Sequence, residues 1–438
     1  MHLRAPSSDP TRTSWASPLR RSPRAATALA AAAATLVALS ACSAPAAEPA
    51  AEATDASTPH GYVEGASEGS EPQLRLATVD PEGRVDLLDL LDGESEGVAE
   101  IDPADSLSTD GRFVFATRAS GTVDVVDTGV WTVDHGDHSH YYLAEPRTVG
   151  TVEASTPDAG EARVVSGADL TAVQFPATGE RVVLDTEALG AGEIDERARW
   201  DDAPHDGVVV PLGESLIVST PGDTGDEGAA AVRVVDLDGR PVDGAETACV
   251  DAADTITTRV GVVVGCADGA LLATADDAGA VSFDRIAYPE TVTPADRATA
   301  FDGRRGRPTV AAVAGDRGVW LLDTRERTWS LVETPDPLIR VAAVDDAEGH
   351  VVGLDAAGRV VVLTADDGVL ATTAALLPET AADEAALAGV TLTVDASRAY
   401  LNAPLEGAVF EIDYADEARV SRTFEHVGAP ALLAETGR

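Results

Sequence analysis

The chain has 438 residues, 44% of them hydrophobic, so it is long enough for two or three ordinary domains or one large repeat-built domain. Asp and Glu number 75 against 31 basic residues, giving a formal net charge of -44 at pH 7. A surface this acidic repels phosphate backbones and anionic lipid headgroups, which argues against nucleic acid as a partner.

The first residues, 1–41, have the pattern of a secretory signal peptide. Three arginines precede an apolar run over residues 25–39, which is too short for an ordinary membrane span. The four residues ending at Cys42 resemble the bacterial lipobox, in which the cysteine is acylated and becomes the mature N-terminus. We therefore expect export and a lipid anchor on Cys42 at the extracellular face of the cell membrane.

Residues 42–72 are rich in Ala, Pro, Glu, Ser and Gly, with few large apolar side chains. Such a composition cannot bury enough surface to fold by itself. It predicts a lipidated, flexible tether in front of a folded domain over residues 73–438.

The folded domain contains a recurring element, a Gly followed by an apolar run that ends in Asp. The closing residues of its eight copies are Asp89, Asp127, Asp185, Asp236, Asp276, Asp323, Asp366 and Asp413. A period of roughly 40 to 50 residues, each with several short strands, is typical of a β-propeller blade. We expect an all-β propeller of seven or eight blades, with eight favoured and with the first and last copies able to share one. The alternative is two β-sandwiches in tandem, against which the regular spacing argues.

With Cys42 assigned to the lipid, Cys249 and Cys266 remain as an even pair in an oxidising compartment. We expect a disulfide between them, which would contribute about 3 kcal/mol in the chain-entropy model. The alternative is two buried, unpaired thiols.

The residues that could bind a metal ion are concentrated in one short segment. The chain has only eight histidines, and three of them, His135, His138 and His140, fall within six residues. In an extended segment His138 and His140 point to the same face, and Gly136 would let the chain turn so that His135 or Asp137 joins them. Imidazole and carboxylate are zinc ligands, although Cu²⁺, Ni²⁺ and Co²⁺ compete for such a set. We expect His205, at the start of a later strand, as a further ligand from another blade.

Three segments resemble the AztD-type zinc metallochaperones. They are residues 126–131 with 135–142 and 145–146, then 204–213, and finally Cys249 and Cys266 with 265–269. The resemblance implies a secreted β-propeller without enzymatic activity that delivers Zn²⁺ to the solute-binding protein of a zinc ABC importer. In the family a His closely follows the first Cys, whereas residues 250–254 contain none, so Asp251 or Asp254 would have to replace it. The tether also contains only His60.

Two other functions remain open. A propeller can serve as a pure interaction scaffold, in which the histidines are incidental. It can also carry a metal-dependent hydrolase or lyase, with His135, His138 and Asp137 on the metal and Asp206 as base. No phosphate loop or H-E-x-x-H motif supports an enzyme, and we expect a monomeric zinc-binding protein with no catalytic residues.

Overall fold

The computed structural model describes residues 65–135, 138–157, 159–222, 228–425 and 427–438. The predicted signal peptide, Cys42, most of the tether and Asp137 lie outside these ranges. The described residues belong to one compact unit, Thr58–Arg438. They form eight antiparallel sheets of four strands and one sheet of three strands.

The first part of the described chain builds two blades and an inserted hairpin. Its strands are β1 (Ser67–Gly69), β2 (Arg75–Val79), β3 (Arg84–Asp89), β4 (Ser95–Glu100), β5 (Ser106–Thr109), β6 (Phe113–Arg118), β7 (Thr122–Asp127), β8 (Val130–Asp134), β9 (Ser139–Leu143) and β10 (Arg147–Glu153). Strands β5, β6, β7 and β10 form one four-stranded blade. The hairpin β8–β9 is thus an insertion between the third and fourth strands of this blade.

The next three blades follow in chain order, four strands each. Their elements are β11 (Arg163–Ser166), β12 (Leu170–Phe175), β13 (Glu180–Asp185), α1 (Thr186–Ala191), β14 (Glu196–Asp201), β15 (Val209–Leu212), β16 (Ser215–Pro221), β17 (Ala229–Val235), β18 (Pro241–Ala248), β19 (Thr255–Thr257), β20 (Val262–Cys266), β21 (Gly269–Ala275) and β22 (Val281–Ala287).

The last three full blades and a final strand complete the chain. Their strands are β23 (Phe301–Asp302), β24 (Thr309–Val313), β25 (Gly318–Asp323), β26 (Thr328–Glu333), β27 (Leu338–Ala343), β28 (Val351–Asp355), β29 (Val360–Thr364), β30 (Gly368–Thr372), β31 (Leu392–Val394), β32 (Ala399–Ala403), β33 (Ala408–Asp413), β34 (Arg419–Phe424) and β35 (Leu432–Thr436). The helices are α2 (Glu384–Ala388) and three short 3-10 turns, Pro294–Asp296, Gly315–Arg317 and Thr380–Ala382. Within the described residues no helix has both the length and the apolar character needed to cross a membrane.

The blades form a closed ring, because β35 pairs with β2 and so becomes the innermost strand of the first blade. Buried apolar clusters join each blade to the next, and one of them, which includes Leu76, Tyr400 and Leu433, joins the eighth blade to the first. Another, with Ala77 and Val114, joins the first blade to the second. A blade buries both of its faces only when it lies between two neighbouring blades, so a closed ring buries both faces of all eight blades. The expected propeller is confirmed with the favoured number of eight blades. The first and last copies of the repeat do not share a blade, because Asp89 ends β3 of the first blade and Asp413 ends β33 of the eighth; the final strand β35 completes the first blade instead.

The antiparallel order places the connections at two opposite ends of the blades. Connections between first and second strands, and between third and fourth strands, lie at one end. The hairpin β8–β9 leaves from this end, which we call the hairpin face. Connections from one blade to the next, and between second and third strands, lie at the opposite end.

The predicted disulfide is confirmed. The Sγ atoms of Cys249 and Cys266 are 2.01 Å apart, and their Cα atoms are 5.1 Å apart. Both residues are buried in the apolar cluster between the fourth and fifth blades. By their places after β18 and at the end of β20, they lie at the end of the blades opposite the hairpin face.

Candidate metal centre

The hairpin is anchored at its base by a buried ion pair. The Asp127 carboxylate accepts hydrogen bonds from Arg112 Nε at 3.0 Å and Nη2 at 2.7 Å. It also accepts one from the Gly129 backbone at 3.0 Å. Gly129 has φ of 73°, and a Cβ there would lie 2.2 Å from the Ala144 carbonyl oxygen, so only glycine fits this turn.

Aromatic packing then holds the two hairpin strands together. Trp131 stacks on Tyr142 across the strand pair at 5.2 Å between ring centroids, and the Arg112 guanidinium lies 3.8 Å from the Trp131 ring. Thr132 donates a hydrogen bond of 2.7 Å to the Gly437 carbonyl, which connects the hairpin to the C-terminal segment. The two strands are therefore held together at their base and fixed against the C-terminal segment.

The tip brings three imidazoles together. One ligand nitrogen each from His135, His138 and His140 lies within 4.8 Å of the others. The His135 and His138 rings stack at 4.9 Å, and His140 lies edge-on to them at 5.2 and 5.0 Å. A backbone hydrogen bond from His135 N to His138 O, 2.9 Å long, closes the turn between them. His135 and His138 are exposed, and His140 is half-buried.

These distances fit a shared ion after a small contraction. Zinc takes imidazole nitrogen at about 2.0–2.1 Å, so two nitrogens of a tetrahedral site lie about 3.4 Å apart. The exposed side chains of His135 and His138 can close the difference by rotating. Three nitrogens would leave the fourth position to water or to another donor, an arrangement that keeps the ion accessible.

Strand β1 adds a carboxylate that sequence reasoning missed. It pairs with β9, with Glu68 opposite Tyr142, and so lies at the hairpin although its residues fall within the predicted tether. Glu68 Oε1 accepts a hydrogen bond of 2.7 Å from His140 Nδ1. A carboxylate in this position holds the proton on Nδ1, so that Nε2 presents its lone pair to a metal. Burial, with the negative charge of Glu68, also raises the pKa of Tyr142.

His205 is not part of the cluster, and its predicted role as a ligand is corrected. It is 3% exposed, in the connection from β14 to β15, which lies at the end of the blades opposite the hairpin face. Its Nδ1 donates to the Ala203 carbonyl at 2.7 Å, and its Nε2 is 2.8 Å from the Ser219 hydroxyl. Both nitrogens are therefore used within the protein, and the buried His205 side chain holds this loop in place.

Replacing Glu68 by alanine should weaken zinc binding about tenfold, because removing the carboxylate behind a ligating imidazole typically costs 10–100-fold in metal affinity. Glu68→Gln keeps a hydrogen-bond acceptor but loses the charge. Its zinc affinity should fall between those of the unmodified protein and Glu68→Ala. Competition with a zinc-chelating dye measures the change. Glu71→Ala, an exposed glutamate of the same segment, is the matched control. Unchanged affinity in Glu68→Ala would contradict a role for this carboxylate at the site.

Comparison with known proteins gives the following relatives. No protein-family model matches the chain. The chain is 26% identical over 255 residues to the zinc chaperone AztD of Citrobacter koseri, a match that covers 57% of this chain and 59% of that protein. The matched region thus spans less than two thirds of the relative.

Solved structures agree on the fold. The crystal structure of Citrobacter koseri AztD superimposes with a TM-score of 0.71 at 20% identity, covering 84% of this chain and 98% of that one. The structure of apo AztD from the same organism gives the same values. The resemblance drawn from the three segments is confirmed as a similarity to AztD in sequence and in fold.

Proposed function

We propose that this protein is an extracytoplasmic zinc metallochaperone, which binds Zn²⁺ at His135, His138 and His140 and delivers it to the solute-binding protein of a zinc ABC importer. The observation that carries the proposal is the convergence of three imidazoles on an exposed hairpin tip. The similarity to a protein named as a zinc chaperone supports the same role.

Exposure of the three imidazoles suits delivery rather than storage. A donor protein must let the acceptor's ligands reach the ion while its own ligands still hold it. His135 and His138 are exposed, and the His140 side chain is 26% exposed. A tetrahedral cage closed within the core would exclude the acceptor, whereas a three-nitrogen site leaves a position at which exchange can begin.

Charge supports the choice of partner. A formal net charge of -44 favours an acceptor with a basic docking patch and speeds its approach. The proposal also includes export and a lipid on Cys42, supported by the sequence pattern of residues 1–42. This anchor would hold a monomeric donor at the extracellular face of the cell membrane, where the importer's solute-binding protein also works.

No catalytic role is part of the proposal. An enzyme would need a base and a substrate cleft beside the metal, and the one candidate base from the sequence, Asp206, is not at the hairpin face. It lies in the same connection as His205, and its carboxylate pairs with Arg163 at 2.5 Å. A purely structural propeller would leave the convergence of three histidines in a His-poor chain without a use.

Direct transfer is the test of this function. We expect the zinc-loaded full chain to pass its ion to a metal-free, zinc-specific solute-binding protein when the two are mixed. The metal content of each protein after separation, measured by mass spectrometry, reports the transfer. The same pair divided by a dialysis membrane should exchange much more slowly. Equal rates with and without contact would mean release and recapture, and would contradict the chaperone role.

A further inference from the structure

A second group of metal-ligating side chains lies outside the hairpin. Asp346, Glu348 and His350 each offer one ligand atom, and the three atoms lie within 4.8 Å of one another. They belong to the loop between β27 and β28, the first two strands of the seventh blade. This loop therefore lies on the hairpin face, the same face of the propeller as the three imidazoles.

The imidazole of this loop is held in a fixed position. His350 is 8% exposed, and its Nδ1 donates a hydrogen bond of 2.6 Å to Asp346 Oδ2. Its ring packs against Tyr414, with ring centroids 5.5 Å apart. Within the described part of the chain, His350 Nε2 has no hydrogen-bond partner. The side chain is thus buried and oriented by a carboxylate, with one nitrogen still available to a ligand.

The charges of the loop favour a cation. Asp345 is neutralised by Arg307 at 2.9 Å and by Arg325 at 3.4 Å. Neither Asp346 nor Glu348 forms an ion pair with an arginine among the residues that the structure describes. Two carboxylates beside an imidazole therefore keep their negative charge for another partner.

Loop closure accounts for only part of this arrangement. Asp346 Oδ1 accepts a hydrogen bond of 2.9 Å from the His350 backbone, which explains an Asp at this position. Glu348 contributes nothing to the loop, because it is exposed and makes no hydrogen bond or ion pair within the described residues. One of its carboxylate oxygens nevertheless lies within 4.8 Å of a ligand atom of Asp346 and of His350.

We propose that His350 Nε2 and the Glu348 carboxylate bind a second divalent cation, Zn²⁺, while Asp346 orients the imidazole. Imidazole nitrogen and carboxylate oxygen are acceptable zinc donors, and fewer imidazoles make the site weaker than the hairpin site. The flexible Glu348 side chain closes onto the ion, water completes its coordination, and Asp346 keeps its hydrogen bond to His350 Nδ1. This proposal goes beyond the proposed function and does not depend on it, because the two sites share no residue.

Zinc titration of the full chain by calorimetry tests the second site. The unmodified protein should bind two ions per chain, one tightly and one more weakly. A variant with His135, His138 and His140 replaced by alanine should keep the weaker ion. Adding Glu348→Gln and His350→Asn to that variant should abolish it. Asparagine at position 350 can still donate to Asp346, so the loop remains closed.

Glu214→Gln is the matched control, since Glu214 is an exposed glutamate between the first two strands of the fourth blade. It should leave both binding events unchanged. The second site would be overturned if the hairpin variant, folded by circular dichroism, bound no zinc, or if its binding survived Glu348→Gln with His350→Asn. Loss of only the tight event in the hairpin variant would leave both proposals standing. If the unmodified protein showed no tight binding event at all, the proposed function would be contradicted, whatever the outcome for the second site.

Discussion

Replacement of His138 and His140 by alanine should weaken zinc binding at the hairpin by more than about a hundredfold. Loss of a residue that merely orients a ligand costs 10–100-fold, and this variant removes two of three ligands outright. Both side chains lie at the tip, away from the Arg112–Asp127 ion pair that anchors the hairpin. The fold should therefore be retained. Dye competition measures the affinity, and circular dichroism checks the fold.

His205→Gln is the control for this variant. It removes a histidine that the sequence also suggested as a ligand but that the structure places at the opposite end of the blades. Zinc affinity at the tight site should be unchanged, although the loss of a buried imidazole lowers stability. An equal loss of affinity in this control would return His205 to the site. Undiminished binding in the His138→Ala/His140→Ala variant would contradict the hairpin assignment.

Removing the disulfide should lower the free energy of unfolding by about 3 kcal/mol. The bond closes a loop between residues separated by 17 positions, and opening it returns conformational entropy to the unfolded chain. Cys249→Ala/Cys266→Ala is the suitable variant, because alanine places no hydroxyl in the apolar cluster that surrounds both residues. Urea unfolding followed by tryptophan fluorescence measures the change.

The same variant should bind zinc with the affinity of the unmodified protein once it is folded. The cysteines lie at the end of the blades opposite the hairpin face, so the length of a blade separates them from the three imidazoles. A stability loss near zero would mean that the bond contributes little to the ring. A large loss of zinc affinity in the folded variant would show coupling between the two ends that the packing does not explain.

The repeat in the sequence corresponds to one particular strand of each blade. Asp89, Asp127, Asp185, Asp323 and Asp413 end the third strands of their blades, and Asp236, Asp276 and Asp366 follow shortly after theirs. The third strand is buried on both faces between neighbouring blades, so it reads as an apolar run. A turn then requires a polar residue that can cap the backbone. This explains why eight copies correctly predicted eight blades.

The longest interval between copies, from Asp127 to Asp185, contains the inserted hairpin β8–β9. Its histidines could be predicted as a group because they fall within six residues, and a turn closed by the hydrogen bond from His135 N to His138 O brings them together. Their closeness depends only on local geometry, which a short sequence carries.

Contacts between residues that are far apart in the chain could not be predicted from local sequence patterns. Glu68 belongs to a segment whose composition reads as a tether, and only pairing with β9 places it beside His140. His205 stands at the start of a later blade, which made it a plausible partner. The direction of its connection, however, puts it at the wrong end of the ring. The loop of Asp346 and His350 likewise lies on the hairpin face only because it joins the first two strands of the seventh blade.

The most direct test of the hairpin assignment is a crystal structure of the protein grown with one equivalent of Zn²⁺, with data collected on both sides of the zinc absorption edge. An anomalous difference peak among the His135, His138 and His140 nitrogens, about 2.0–2.1 Å from each, is the expected result. A strong zinc peak elsewhere in the molecule, with none at the hairpin tip, would contradict it.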